Sequence, residues 1–198
     1  MPEKIAAQKL LTRGLRLEYV TLSWNVVGIC ITAIAALRAH SIAIGGFGLD
    51  SLIEIGASTI VLWELTSTRE DTRPKALRLI GLSFYGIATY ILLQVGYLLV
   101  QGSRPAASVL GIAWTAVTFI AMLWLAGAKH HTGTQLKNPV LLTEGKVTRI
   151  DAYLAASVMV GLVLNAAFHW WWADLASALI IVYYGFKEGA AALLEAKR

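Results

Sequence analysis

Charge is what this chain has least of. Only 15% of its 198 residues are Asp, Glu, Lys or Arg, against about 25% in a soluble domain. Hydrophobic residues make up 57%, gathered in blocks, which excludes an ordinary soluble domain. The lone cysteine, Cys30, has no partner in the chain, so there is no disulfide framework and it is expected to pack as a small apolar residue. The N-terminal stretch lacks a compact apolar core followed by a small-residue cleavage site, so it is not read as a signal peptide. The apolar blocks do not alternate as barrel strands would. There is no HExxH motif, and no Ser or Cys nucleophile with a nearby His, so an intramembrane enzyme is disfavoured. No internal repeat or low-complexity tract is evident.

Six long apolar blocks are present, each near the ~20 residues that cross a bilayer. They predict an all-α membrane protein, a bundle of six transmembrane helices over 19–37, 42–65, 79–100, 109–128, 140–168 and 173–190. Residues 1–18 form a basic N-terminal arm in which Ile5, Leu10, Leu11, Leu15 and Leu17 interleave with Lys4, Lys9, Arg13 and Arg16, as in an interfacial helix. Residues 191–198 form a short tail. The net charge of +5 does not point to nucleic acid, because the basic residues lie in the breaks between blocks, where they set topology. Arg69, Arg73, Lys75 and Arg78 follow the second block. Lys129, Lys137, Lys146 and Arg149 follow the fourth, and Lys197 and Arg198 end the chain. The opposite breaks carry only Arg38 and Arg104. Both termini are therefore expected in the cytoplasm, and Trp170, Trp171 and Trp172 at the outer interface.

Within this apolar chain, Asp50 and Glu54 are out of place. A carboxylate at the centre of a membrane helix costs about 2.5–3.5 kcal/mol on insertion scales. Positions i and i+4 share a helix face, so both carboxylates aim at one spot. Interhelical hydrogen bonds, at ~0.6 kcal/mol each, do not offset that cost, so these acids are read as functional. Asn25, Gln94 and Asn165 are read as amides that hold helices together. The dipeptide Asn138-Pro139 is a good helix start. Counting from it at 1.5 Å per residue sets Asp151 about 20 Å deep, with Glu54 and Asp50 roughly 18 and 24 Å from the same side. Gly45, Gly46, Gly48, Ser51, Gly56, Ala57 and Ser58 around the pair, with Ala152, Ala155, Ala156 and Ser157 on the fifth block, allow the second and fifth helices to approach closely.

Three carboxylates in one low-dielectric pocket cannot all be ionised cheaply, and they titrate as a unit. A divalent cation stabilises their charged forms and releases protons as it binds. Asp50, Glu54 and Asp151 are thus the candidate metal ligands of an antiporter. The segment GFGLDSLIEIGAS resembles the second transmembrane helix of the cation diffusion facilitator family, where an acid or His is followed four residues later by an acid. TEGKVTRIDAYLAASVMVGLVLN resembles that family's fifth helix, and WWWAD the entry to its sixth. The resemblance is to short members without the usual cytoplasmic C-terminal domain. It implies a six-helix homodimer in the plasma (inner) membrane that exchanges zinc, manganese or a similar divalent cation for protons, with the bilayer as its surroundings. No organic cofactor is implied, and no nucleic acid.

Two positions depart from the family pattern: Val147 stands where the fifth helix usually carries His, and Glu54 where Asp is common. The resulting set offers oxygen alone, which suits harder ions such as Mn²⁺ or Mg²⁺; the resemblance still ranks zinc or manganese first. A non-transporting metal sensor or regulatory membrane protein of the same fold is the alternative. Among weaker signals, His130 and His131 fall in a polar cytoplasmic link, and Glu144, Lys146 and Arg149 are expected to ring the inner mouth. Glu64 and Glu70 are expected to be solvated, Asp174 to cap the sixth helix, and His169 to line the interface. His40 has no evident partner.

Overall fold

The computed structural model describes residues 2–39, 42–67, 72–102, 109–170 and 173–197. They form six helices in chain order: α1 (Pro2–Ala39), α2 (Ile42–Thr66), α3 (Thr72–Gln101), α4 (Val109–Leu136), α5 (Pro139–Phe168) and α6 (Ala173–Glu195). Among the described residues there is no strand. His40, Arg69, Glu70, Arg104, Trp171, Trp172 and Arg198 lie outside the described residues, as does the side chain of Asp174.

Among the described residues, four helical segments are long and apolar enough to cross a membrane: Ile5–Ala35, Thr72–Gln101, Val109–Leu136 and Pro139–Phe168. At 1.5 Å per residue even α6, the shortest helix, is about 35 Å long, more than the ~30 Å hydrocarbon layer.

The basic arm leads into the first span without a break, in the single helix α1 from Pro2 to Ala39. One sequence expectation is corrected. The polar stretch from Lys129 to Arg149 is not a link, because α4 continues through His130 and His131 to Leu136 and α5 starts at Pro139. Nothing in Lys129–Leu136 breaks a helix, and polar residues continue one wherever they have an exposed face. The turn consists of two residues. Lys137 takes a left-handed φ of 50°, and Asn138 caps α5 by accepting from the Val140 and Leu141 N–H groups at 2.9 and 3.0 Å. Gly133 lets the two helix ends close tightly: a Cβ on it would meet the Leu142 nitrogen at 3.1 Å, and α5 would have to give by a few tenths of an ångström. At its far end α5 closes on His169, φ 61°, whose N–H reaches the Asn165 carbonyl.

The helices pack through small residues, as membrane helices do. Helices α3 and α6 meet at Gly81, Ala88, Gly185 and Gly189; a Cβ on Gly189 would meet the Gly81 carbonyl oxygen at 3.1 Å. Helices α1 and α2 meet at Gly48, where the Thr32 hydroxyl fills the place of a Cβ. Helices α1 and α4 are joined by the stacked rings of Trp24 and Trp114, 5.2 Å apart. Helix α5 contacts α2, α3, α4 and α6. It is therefore the central element, and its buried face is where polar side chains of the other helices can converge.

Candidate functional site

On α2 one face carries Asp50, Glu54, Ala57, Ser58, Val61 and Leu65, all buried. Spacings of three and four residues keep them in line. The facing side of α5 carries Glu144, Thr148, Asp151 and Ala155, also buried. Asp50 and Asp151 are 2% and 4% exposed, on the facing sides of α2 and α5. Glu54 sits one turn further along α2. Its Oε1 accepts from the Thr148 hydroxyl at 2.7 Å. Asp50, Glu54 and Asp151 are thus neighbours at one α2–α5 contact.

Each of the three carboxyls keeps one buried oxygen without a hydrogen-bond partner: Asp50 Oδ1, Glu54 Oε2 and Asp151 Oδ2. Buried carboxylate oxygens left bare are costly, and a cation or a proton is what relieves them. Among the described residues, no group of three or more Asp, Glu, His or Cys closes on one point as a finished metal centre does. The donor set is all oxygen. Val147, at the position where His was considered, is 0% exposed within the apolar core.

A second polar group adjoins the first, and the sequence reading placed its members elsewhere. Glu144 was expected at the inner mouth and Lys129 in the basic break after the fourth block, and Glu18 was not singled out. All three are 0% exposed. Lys129 Nζ donates to Glu144 Oε1 and to the Thr148 hydroxyl oxygen at 3.1 Å, and it pairs with Glu18 Oε2 at 3.2 Å. Ser58 donates to Glu144 Oε1 at 3.3 Å. A continuous polar string therefore runs from Glu18 on α1 through Lys129 on α4, Glu144 and Thr148 on α5, to Glu54 on α2. The signal was in the sequence as a stripe. Gly14, Glu18, Thr21, Asn25, Gly28 and Thr32 recur every four or three residues on α1, as do Gly111, Thr115, Thr118, Met122, Leu125, Lys129 and Thr132 on α4. A stripe of small and polar residues in an apolar helix marks a helix-facing side.

The remaining expectations divide. Glu64 is not solvated: it is 8% exposed, accepting from Asn138 Nδ2 at 2.9 Å and pairing with Arg73 at 3.3 Å. Asn25 donates to the Thr21 carbonyl of its own helix at 3.0 Å. Lys146, unlike Glu144, is exposed, and it pairs with Glu188 of α6 at 2.8 Å. His130 and His131 are exposed on α4, and His131 pairs with Gln135 at 3.1 Å.

Residues 79–198 match the family model of the cation efflux transmembrane domain. The matched region takes in Lys129, Glu144, Thr148 and Asp151; Asp50 and Glu54 precede it. No curated protein matches the chain.

Proposed function

The chain belongs to the cation efflux family, an integral membrane family of cation transporters, and on that premise we propose that it exchanges a divalent cation for protons through Asp50, Glu54 and Asp151. The observation that carries this reading is the burial of Asp50 and Asp151 on the facing sides of α2 and α5, each with one carboxyl oxygen that has no hydrogen-bond partner. Ionised carboxylates only accept hydrogen bonds. Two that face each other inside an apolar bundle hold either a proton or a cation between them. Each species displaces the other, which is the elementary step of exchange. Glu54, adjacent and with one free oxygen, adds a third negative donor for a doubly charged cargo.

Zinc and manganese are the proposed cargoes. The absence of nitrogen or sulfur donors from this carboxylate set favours manganese on ligand chemistry; the family relation favours zinc as well. In this reading all six helices cross the membrane, both termini face the cytoplasm, and two copies pair in the plasma membrane. With Lys129 buried, the orientation rests on the exposed Lys137 at the α4–α5 turn, on the exposed Lys146 and Arg149 in the first three turns of α5, and on the basic arm. A non-transporting sensor of the same fold is the second reading, favoured by the apolar Val147 beside the acids.

Titration of Mn²⁺ into the purified protein, in two buffers of different ionisation enthalpy, tests the exchange step. Binding is expected to release at least one proton per cation, since a bound metal displaces the protons of its ligands. Binding with no proton release would overturn the exchange reading.

A further inference from the structure

The Glu18–Lys129–Glu144 group has no part in the exchange step above, yet it touches the candidate site through a single hydroxyl. Thr148 Oγ1 lies 2.7 Å from Glu54 Oε1, 3.2 Å from Glu144 Oε1 and 3.1 Å from Lys129 Nζ. A hydroxyl has one proton to donate and two lone pairs to accept with. Lys129 has only protons to give, so Thr148 accepts there. Its own proton has two possible destinations. Glu144 Oε1 already takes the Lys129 ammonium and the Ser58 hydroxyl. The shorter contact and the less occupied acceptor are both on Glu54. With Oε1 held by Thr148, Glu54 keeps Oε2 without a hydrogen-bond partner.

We propose that Glu18, Lys129 and Glu144 are positioning residues for the cation site. By occupying the other side of Thr148 they aim its hydroxyl at Glu54 Oε1 and leave Oε2 free for the cargo cation. The group draws on α1, α4 and α5, with Ser58 from α2. A movement of α1 or α4 that withdraws Glu18 or Lys129 releases the hydroxyl, and with it the orientation of Glu54. The state of the outer helices is thereby transmitted to the ligand on α2. The burial supports this assignment: an ion pair serving only solubility does not sit at 0% exposure on both partners.

This inference rests on the cation-site reading, so the experiment separates the two. Mn²⁺ affinity is measured by calorimetry on the purified full chain, for Thr148→Val, Thr148→Ser, the neutralised triple variant Glu18→Gln/Lys129→Met/Glu144→Gln, and the triple variant combined with Thr148→Val. Residues that orient a metal-bound carboxylate typically contribute about 10–100-fold to affinity, so Thr148→Val is expected to weaken binding by that factor. Thr148→Ser, which keeps the hydroxyl, is expected to restore it. The triple variant is expected to weaken binding as well, and Thr148→Val added to it is expected to weaken binding no further, because both act through one contact. Should valine fail to pack, Thr148→Ala reads the same loss. Unchanged affinity in Thr148→Val, or losses that multiply in the combined variant, would overturn the positioning role. Asp50→Asn serves as the reference: if it binds Mn²⁺ like the native chain, the site reading itself fails, whatever Thr148 does.

Discussion

Asp50→Asn is expected to reduce divalent cation uptake into proteoliposomes by about a thousandfold. The figure follows from the charge removed. A unit charge pair about 4 Å apart at an effective dielectric constant of about 20 is worth roughly 4 kcal/mol, a lower bound for a doubly charged cargo, and every 1.4 kcal/mol is tenfold in affinity. Asparagine has nearly the same shape and keeps an oxygen acceptor, so packing against α5 is retained. What goes is the negative charge and a carboxyl able to take up a proton. Uptake by the variant within a few fold of the native rate would mean that the cation does not pass between these carboxyls.

Lys129→Met is expected to produce the largest loss of stability. Among the described residues Lys129 is the cation paired with both Glu18 and Glu144, and none of the three is exposed. Removing one partner of a buried ion pair costs about 3–5 kcal/mol, because the remaining charge is left bare. Here two carboxylates would be left. For a chain of this length, that corresponds to a fall on the order of 10 °C in melting temperature, read by thermal unfolding in detergent. Neutralising the acids together, as Glu18→Gln/Lys129→Met/Glu144→Gln, is expected to recover most of it, since replacing a whole buried pair is often close to neutral. A Lys129→Met melting curve that overlays the native one would show that the two carboxylates are balanced by some other group.

These two variants also mark what could be read from the chain alone. Asp50 and Glu54 were singled out because the insertion cost of a mid-span acid far exceeds any gluing benefit, and the structure buries both. Asp151 was legible through depth: the Asn138-Pro139 start fixes its level, and the structure bears out that start, with Asn138 accepting from Val140 and Leu141. Glu18, Lys129 and Glu144 were not legible by the same test. They lie near the ends of apolar blocks, where charge is ordinarily solvated and inexpensive, and Lys129 was counted as a topology signal. Their burial follows from the extension of α4 to Leu136 and from the tight turn at Lys137 and Asn138, which draws the polar ends of α4 and α5 together. Hydropathy does not report that extension, because a helix continues through polar residues as readily as through apolar ones. Helix-facing stripes on α1 and α4, taken as a pair, would have placed Glu18 and Lys129 inside.

Thr148 was invisible for another reason. A threonine in an apolar block is unremarkable in composition, and its importance comes only from standing 2.7 Å from one carboxylate and 3.2 Å from another. Relations of that kind arise between helices. Sequence periodicity can say which face of a helix is turned inward, but it does not say which side chain on the opposing face is met.

The most direct test is to follow cation and proton together in the same vesicles. Protein is reconstituted into liposomes with one indicator for Mn²⁺ and another for internal pH, and Mn²⁺ is added outside with an acidic lumen. The account predicts that Mn²⁺ enters only with protein present, that the lumen becomes more alkaline in step with the entry, and that both signals vanish in Asp50→Asn. Mn²⁺ entry with no change in internal pH, or a pH change that persists in Asp50→Asn, would contradict it.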